Sequence, residues 1–104
     1  MNTILHEAQK IEDDIIKDRR YLHQNAETGY DLPVTTAYVV KRLEEMGYEP
    51  QVIAKSAIVA SAGGRRPGKT FLLRGDMDAL PIKEETNLAF SSETPNMHAC
   101  GHDS

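Results

Sequence analysis

Met46-Gly47-Tyr48-Glu49-Pro50-Gln51-Val52-Ile53-Ala54 is the stretch on which the fold turns. Before it, apolar residues recur every three or four positions; after it, they come in short β-branched runs. Gly47 sits where a helix ends on a left-handed residue, and Pro50 forbids continuation. Upstream, Asp31 as N-cap and Pro33 in the first turn open a helix whose buried stripe is Thr36, Val39, Val40, Leu43 and Met46. Further upstream, Ile4, Ala8, Ile11, Ile15 and Leu22 form the stripe of one long amphipathic helix that ends near His23-Gln24-Asn25. Downstream, residues 51–54, 57–61 and 70–74 read as strands, the last two joined as a hairpin by the polar loop 62–68. Phe71-Leu72-Leu73 lacks alternation, the pattern of a central strand covered on both faces. Two helices followed by strands of a mixed sheet predict an α/β layer structure.

Composition narrows the classes. The chain has 104 residues, 39% of them hydrophobic, which suits one small soluble domain with a modest core. Twelve Lys and Arg against sixteen Asp and Glu give a net charge of −4, which argues against nucleic acid or an anionic membrane surface as partner. No run approaches the ~18 apolar residues of a membrane span. The start, Met1-Asn2-Thr3-Ile4-Leu5-His6, lacks the basic-then-apolar order of a secretory leader. A single cysteine, Cys100, excludes an internal disulfide framework and fits a reducing compartment, so a cytoplasmic location is expected.

The last thirty residues carry the candidate chemistry. Met97-His98-Ala99-Cys100-Gly101-His102-Asp103 is the densest cluster of metal-capable groups. In an extended conformation His98, Cys100 and His102 share a face, and thiolate plus imidazole suits zinc and other late divalent metals. Asp103 could accept the second imidazole proton or act as a further ligand. The opposing reading is a histidine-rich surface loop with Cys100 as a small apolar residue. Arg74-Gly75-Asp76-Met77-Asp78-Ala79-Leu80-Pro81 begins at the expected end of a buried strand, where ligands of open α/β sheets bind. Asp76 and Asp78 alternate there and could orient a metal-bound imidazole; the bland alternative is a turn whose aspartates cap backbone amides. His23 reads as a packing histidine at a helix end, and Glu84-Glu85 as a solvated pair.

One pattern competes. Gly63-Gly64-Arg65-Arg66-Pro67-Gly68-Lys69-Thr70 matches the phosphate-loop signature. That mechanism needs a helix directly after Lys69-Thr70, and Phe71-Leu72-Leu73 reads instead as a strand.

The two late motifs in tandem, with Arg19-Arg20-Tyr21-Leu22-His23 and Glu27 upstream, resemble the metal-dependent amidohydrolases of the aminoacylase and carboxypeptidase superfamily. The nearest group is that of hippurate hydrolase, N-acetyl-diaminopimelate deacetylase and the auxin-conjugate hydrolases. The resemblance covers residues 10–103 and departs at Ala26, where the family commonly has proline. It implies an α/β/α zinc-peptidase-like catalytic domain, of which residues 1–104 are an N-terminal fragment, with the lid and dimerisation domain elsewhere. It implies Cys100 and His102 as ligands of a site for two divalent metals (zinc or manganese), and Asp78 as the carboxylate that supports the ligands. The expected reaction is hydrolysis of an N-acyl amino acid or related amide. The expected partners are that small substrate and, in the intact protein, further copies of itself. The glutamate base and remaining ligands are expected beyond Ser104, so the 104-residue chain alone is expected to be inactive. A non-catalytic remnant or metal-binding module is the alternative, ahead of a nucleotide binder through residues 63–70.

Overall fold

Three helices and one hairpin make up the regular structure of the computed structural model, which describes residues 2–63 and 66–103. The expected single N-terminal helix is two: α1 (Asn2–Lys10) and α2 (Glu12–Gln24). The break is at Ile11, whose N–H bonds the Ala8 carbonyl one residue short of the α-helical partner. Glu12, Asp13 and Asp14 then fall in the first turn of α2, where the helix dipole favours negative charge. The expected stripe is largely uncovered here: Ile4 is 72% exposed and Ile15 54%.

Helix α3 (Pro33–Glu45) keeps the predicted C-terminus and not the predicted cap. Gly47 has φ +92°, the Gly47 N–H bonds the Glu44 carbonyl, and the Tyr48 N–H bonds the Leu43 carbonyl. That pair of bonds, on a residue free to take positive φ, closes the helix. At the N-terminus, Leu32 rather than Asp31 holds the cap position, and the acceptor comes from Glu27. Its two carboxylate oxygens take the N–H groups of Val34 (3.2 Å) and Thr35 (2.7 Å). A carboxylate seven residues upstream thus satisfies two orphan donors and meets the dipole's positive end. Glu27→Ala is expected to cost about 1 kcal/mol, seen as a melting temperature lowered by roughly 4–8 °C. An unchanged melting curve would assign the cap elsewhere. The expected α3 stripe is half-buried from Thr36 to Leu43, while Met46 is exposed.

Helices α2 and α3 are joined by a polar clasp. The Tyr38 hydroxyl donates to Asp18 at 2.5 Å, Arg42 Nε donates to the same oxygen at 2.8 Å, and Tyr21 stacks on Tyr38 with ring centroids 4.0 Å apart. Burial and the bond to the Asp18 carboxylate push the Tyr38 phenol up to about 12.

The hairpin lies one run earlier than expected. Strands β1 (Gln51–Ile53) and β2 (Ala57–Val59) pair antiparallel, Val52 opposite Ile58, around a three-residue loop in which Ala54 has φ 55°. A short loop costs less closure entropy than the 62–68 connection would. Ser56 in that loop accepts the Leu32 N–H at 2.7 Å, tying the hairpin to the start of α3. Residues 70–74 form no strand; Phe71, Leu72 and Leu73 are 83–96% exposed. They form no helix either, so the phosphate-loop reading loses the helix its mechanism requires. Gly64 and Arg65 of that motif lie outside the described residues.

The core is small and built on residues 23–35. Ala26, Leu32 and Ala79 are its buried apolar members, and His23 and Thr35 are buried with them. The C-terminal segment is stitched onto this centre by backbone. The Ala79 N–H donates to the Glu27 carbonyl at 2.6 Å, the Glu93 N–H to the Gln24 carbonyl at 2.8 Å, and the Thr94 hydroxyl to the Ala26 carbonyl at 2.6 Å.

Candidate metal centre

An antiparallel bridge between Leu80 and Met97 brings the two late motifs together. Each N–H donates to the other's carbonyl at 2.9 Å. In antiparallel pairing, residues before 80 come opposite residues after 97, so Asp76 meets the end of the histidine motif. There the chain does not stay extended as expected. Gly101 takes φ +82°, and the bend it makes turns Cys100 and His102 toward Asp76. Alternation along a strand therefore does not explain their convergence; a left-handed glycine between them does.

The ligand atoms of Asp76, Cys100 and His102 lie within 4.8 Å of one another, the one such metal-capable trio among the described residues. His102 Nδ1 is 2.7 Å from an Asp76 carboxylate oxygen. This bond orients the ring and leaves Nε2 as its free donor atom. The contact pushes the His102 imidazole up from its ordinary value, first through the hydrogen bond and then through the charge of Asp76. The same hydrogen bond holds the Asp76 carboxyl below its usual range. In the metal-free chain, NMR titration of His102 should therefore give a midpoint above 6.5. Asp76→Asn is expected to return it toward the ordinary value, and equal midpoints would break the pairing.

The trio edges a pocket of about 270 Å³. Ile15 and Leu22 of α2 contribute apolar wall, Thr35 comes from α3, and Asp78 and His98 stand beside the trio. Asp78 is exposed, and its charge reaches His102 and His98; the carboxylate hydrogen-bonded to His102 is Asp76. Asp103 pairs instead with Arg19 of α2 at 3.4 Å. A larger groove of about 760 Å³ runs along α2 and α3, lined by mixed acids and bases and by none of the trio.

Behind the pocket, Glu84 departs from its expected solvated role. Its side chain is 2% exposed, with one oxygen on His23 Nε2 at 2.7 Å and on the Ser92 N–H at 2.8 Å, the other on the Thr86 hydroxyl. These bonds, Thr86 first, hold its carboxyl down to about 2. Glu85 has none of them. Nothing in the local sequence separates the two glutamates; the partner is 61 residues away.

Donor chemistry fits a divalent metal. One thiolate, one imidazole with a free nitrogen, and one carboxylate match the ligand preferences of zinc and its neighbours. A bound ion would be held by Cys100 and His102, with Asp76 fixing the imidazole from behind.

Comparison with known proteins follows the same residues. Residues 72–104 match the model of the Peptidase family M20/M25/M40. "Thermostable carboxypeptidase 2" of Saccharolobus solfataricus is 42% identical over 101 residues, covering 94% of this chain and 26% of that protein. N-acetyldiaminopimelate deacetylase of Listeria monocytogenes is 45% identical over 93 residues, covering 86% and 25%. Among solved structures, a Bacillus subtilis protein described as a dinuclear metal binding peptidase from the M20 family superposes with a TM-score of 0.84 at 38% identity. That match covers 91% of this chain and 27% of the other. The chain thus spans about a quarter of the length of the proteins it matches.

Proposed function

We infer function from one premise: this chain shares the sequence and the α/β fold of the M20/M25/M40 peptidases across the stretch it spans. It carries part of the site of a metal-dependent amidohydrolase that cleaves N-acyl amino acids or related peptide-like amides. The observation that supports this best is the convergence of Asp76, Cys100 and His102 on one point at the rim of a pocket.

Geometry supports the following roles. Cys100 supplies a thiolate and His102 supplies Nε2, while Asp76 sets the His102 tautomer and orientation through Nδ1. Asp78 adds to the negative charge of the pocket wall, which raises the local affinity for cations. Two divalent ions, zinc or manganese, are the cofactor, and a bound ion supplies an acidified water and polarises the scissile carbonyl. The neighbour described as dinuclear supports that count. Ile15 and Leu22 give the pocket a dry side on which an acyl group can rest. Residues 1–104 form the N-terminal portion of a catalytic domain whose base and further ligands come from outside them; the assembled protein is a cytoplasmic homo-oligomer.

The test is hydrolysis of N-acyl amino acids by a polypeptide of the relatives' length that includes these residues. Activity is expected to vanish with chelator, return with Zn²⁺ or Mn²⁺, and be absent from the 104-residue chain alone. Chelator-resistant hydrolysis overturns the metal reading. Equal activity of the short chain overturns the partial site.

A further inference from the structure

Two buried imidazole nitrogens behind the pocket point to a relay that the trio does not use. His23 is 5% exposed, and its Nε2 lies 2.7 Å from Glu84. Because Glu84 is held ionised by Thr86, Ser92 and His23, the His23 proton on that side belongs to Nε2. In the neutral imidazole, His23 Nδ1 is then a buried lone pair, and it has no hydrogen-bond partner among the described residues. His98 Nε2 is in the same condition, buried and unpartnered. The two rings are neighbours, with centroids 6.4 Å apart and planes tilted by 38°. That separation is too long for a direct N–H···N bond and suits one bridging water, which polar groups at such spacing commonly share. His98 also lines the metal pocket. With Nε2 turned inward, Nδ1 is the nitrogen its ring offers to that pocket.

We propose that His98 is a positioning residue of the pocket. Its Nε2–H is held through one buried water by the Glu84–His23 pair, so that Nδ1 faces the metal trio as a hydrogen-bond acceptor. The proposal rests on the metal-pocket reading for the use of that acceptor, and on the buried nitrogens alone for the relay. An imidazole fixed this way accepts a hydrogen bond from an amide N–H or a water beside Cys100 and His102, which an exposed ring could not do with one defined tautomer. The two buried imidazole nitrogens are thereby satisfied, as buried groups in folded chains are. Phe90 packs edge-on against His23, with centroids 6.1 Å apart, and holds that ring in place.

The experiment is histidine-selective ¹⁵N NMR on the metal-free 104-residue chain, which needs no activity and no bound ion. His98 is expected to show a proton on Nε2, protected from solvent exchange and coupled by cross-relaxation to a bound water, with Nδ1 unprotonated. His23→Asn keeps a polar atom where Nδ1 stands but gives up the bond to Glu84; with its fold checked by amide dispersion in the same spectrum, it is expected to retain the protected proton. His23→Gln moves that atom to the Nε2 position and is expected to lose it, with at least tenfold faster exchange. A His98 proton on Nδ1, or no protected proton in the parent chain, overturns the relay without any variant. So does loss of the protected proton in Asp103→Asn but not in His23→Gln, which would make Asp103 the buried acceptor. A Zn²⁺ titration of the same sample separates the two readings: the expected His98 signal without any Zn²⁺ binding sinks the metal site and leaves the relay standing.

Discussion

Cys100→Ala or His102→Ala is expected to weaken Zn²⁺ binding to the chain by more than about 100-fold, beyond the ~10–100-fold typical of losing a ligand's hydrogen-bond partner. Asp76→Asn removes such a partner and should fall within that lower range. The ordering follows from the geometry. Each ligand variant deletes one of the two groups that would hold the ion, whereas Asp76→Asn leaves both Cys100 and His102 in place and loosens the ring. Cobalt substitution gives an independent readout, since a thiolate bound to Co²⁺ absorbs in the near ultraviolet and Cys100→Ala should abolish that band. His6 in α1 serves as a comparison: His6→Ala should bind Zn²⁺ as the parent does, because His6 is an exposed helical residue outside the trio. Equal affinity of Cys100→Ala and the parent chain would remove the metal centre.

The second large effect is on stability. Glu84→Ala leaves the His23 Nε2–H buried without its acceptor, and an unsatisfied buried donor costs about 1–3 kcal/mol. A small domain has only about 5–15 kcal/mol in total. The melting transition followed by circular dichroism should therefore drop by roughly 5–20 °C. Glu85→Ala, next in the chain, should change stability by no more than about 0.5 kcal/mol. The pH dependence has a defined sign. The Glu84 carboxyl titrates lower in the folded chain, at about 2, than its ordinary 4.5, so its contribution is fully present above the ordinary value. It is lost as pH falls from there through about 2. The parent chain should therefore destabilise more steeply than Glu84→Gln over that interval, and parallel curves would remove the pair's role.

Glu84 also shows where sequence reading reaches its limit. In the chain it is one of two adjacent glutamates, and a doublet of acids ordinarily means a solvated face. What distinguishes it is a histidine 61 positions earlier, an amide at Ser92 and a hydroxyl at Thr86. Asp76 and Asp78 pose the same problem at closer range. Their alternation is visible, and which of them reaches His102 depends on the bridge register at Leu80 and Met97. The strand expected at 70–74 failed for a related reason. An apolar run states that it should be covered but not by what, and the described residues supply no partner strand.

Local chemistry was legible without any coordinates: the helix stop at Gly47, the break at Pro50, and the thiol and imidazole two residues apart all depend on residues close in the chain. Backbone conformation and ligand type are properties of a few neighbouring side chains, so a reading of order and spacing recovers them. The folded chain alone decided that Glu27 caps α3, that Gly101 rather than strand alternation turns Cys100 toward His102, and that Asp76 takes the imidazole. Those outcomes depend on which distant segments meet, and that is settled by burial and backbone pairing across tens of residues, which spacing along the chain does not encode.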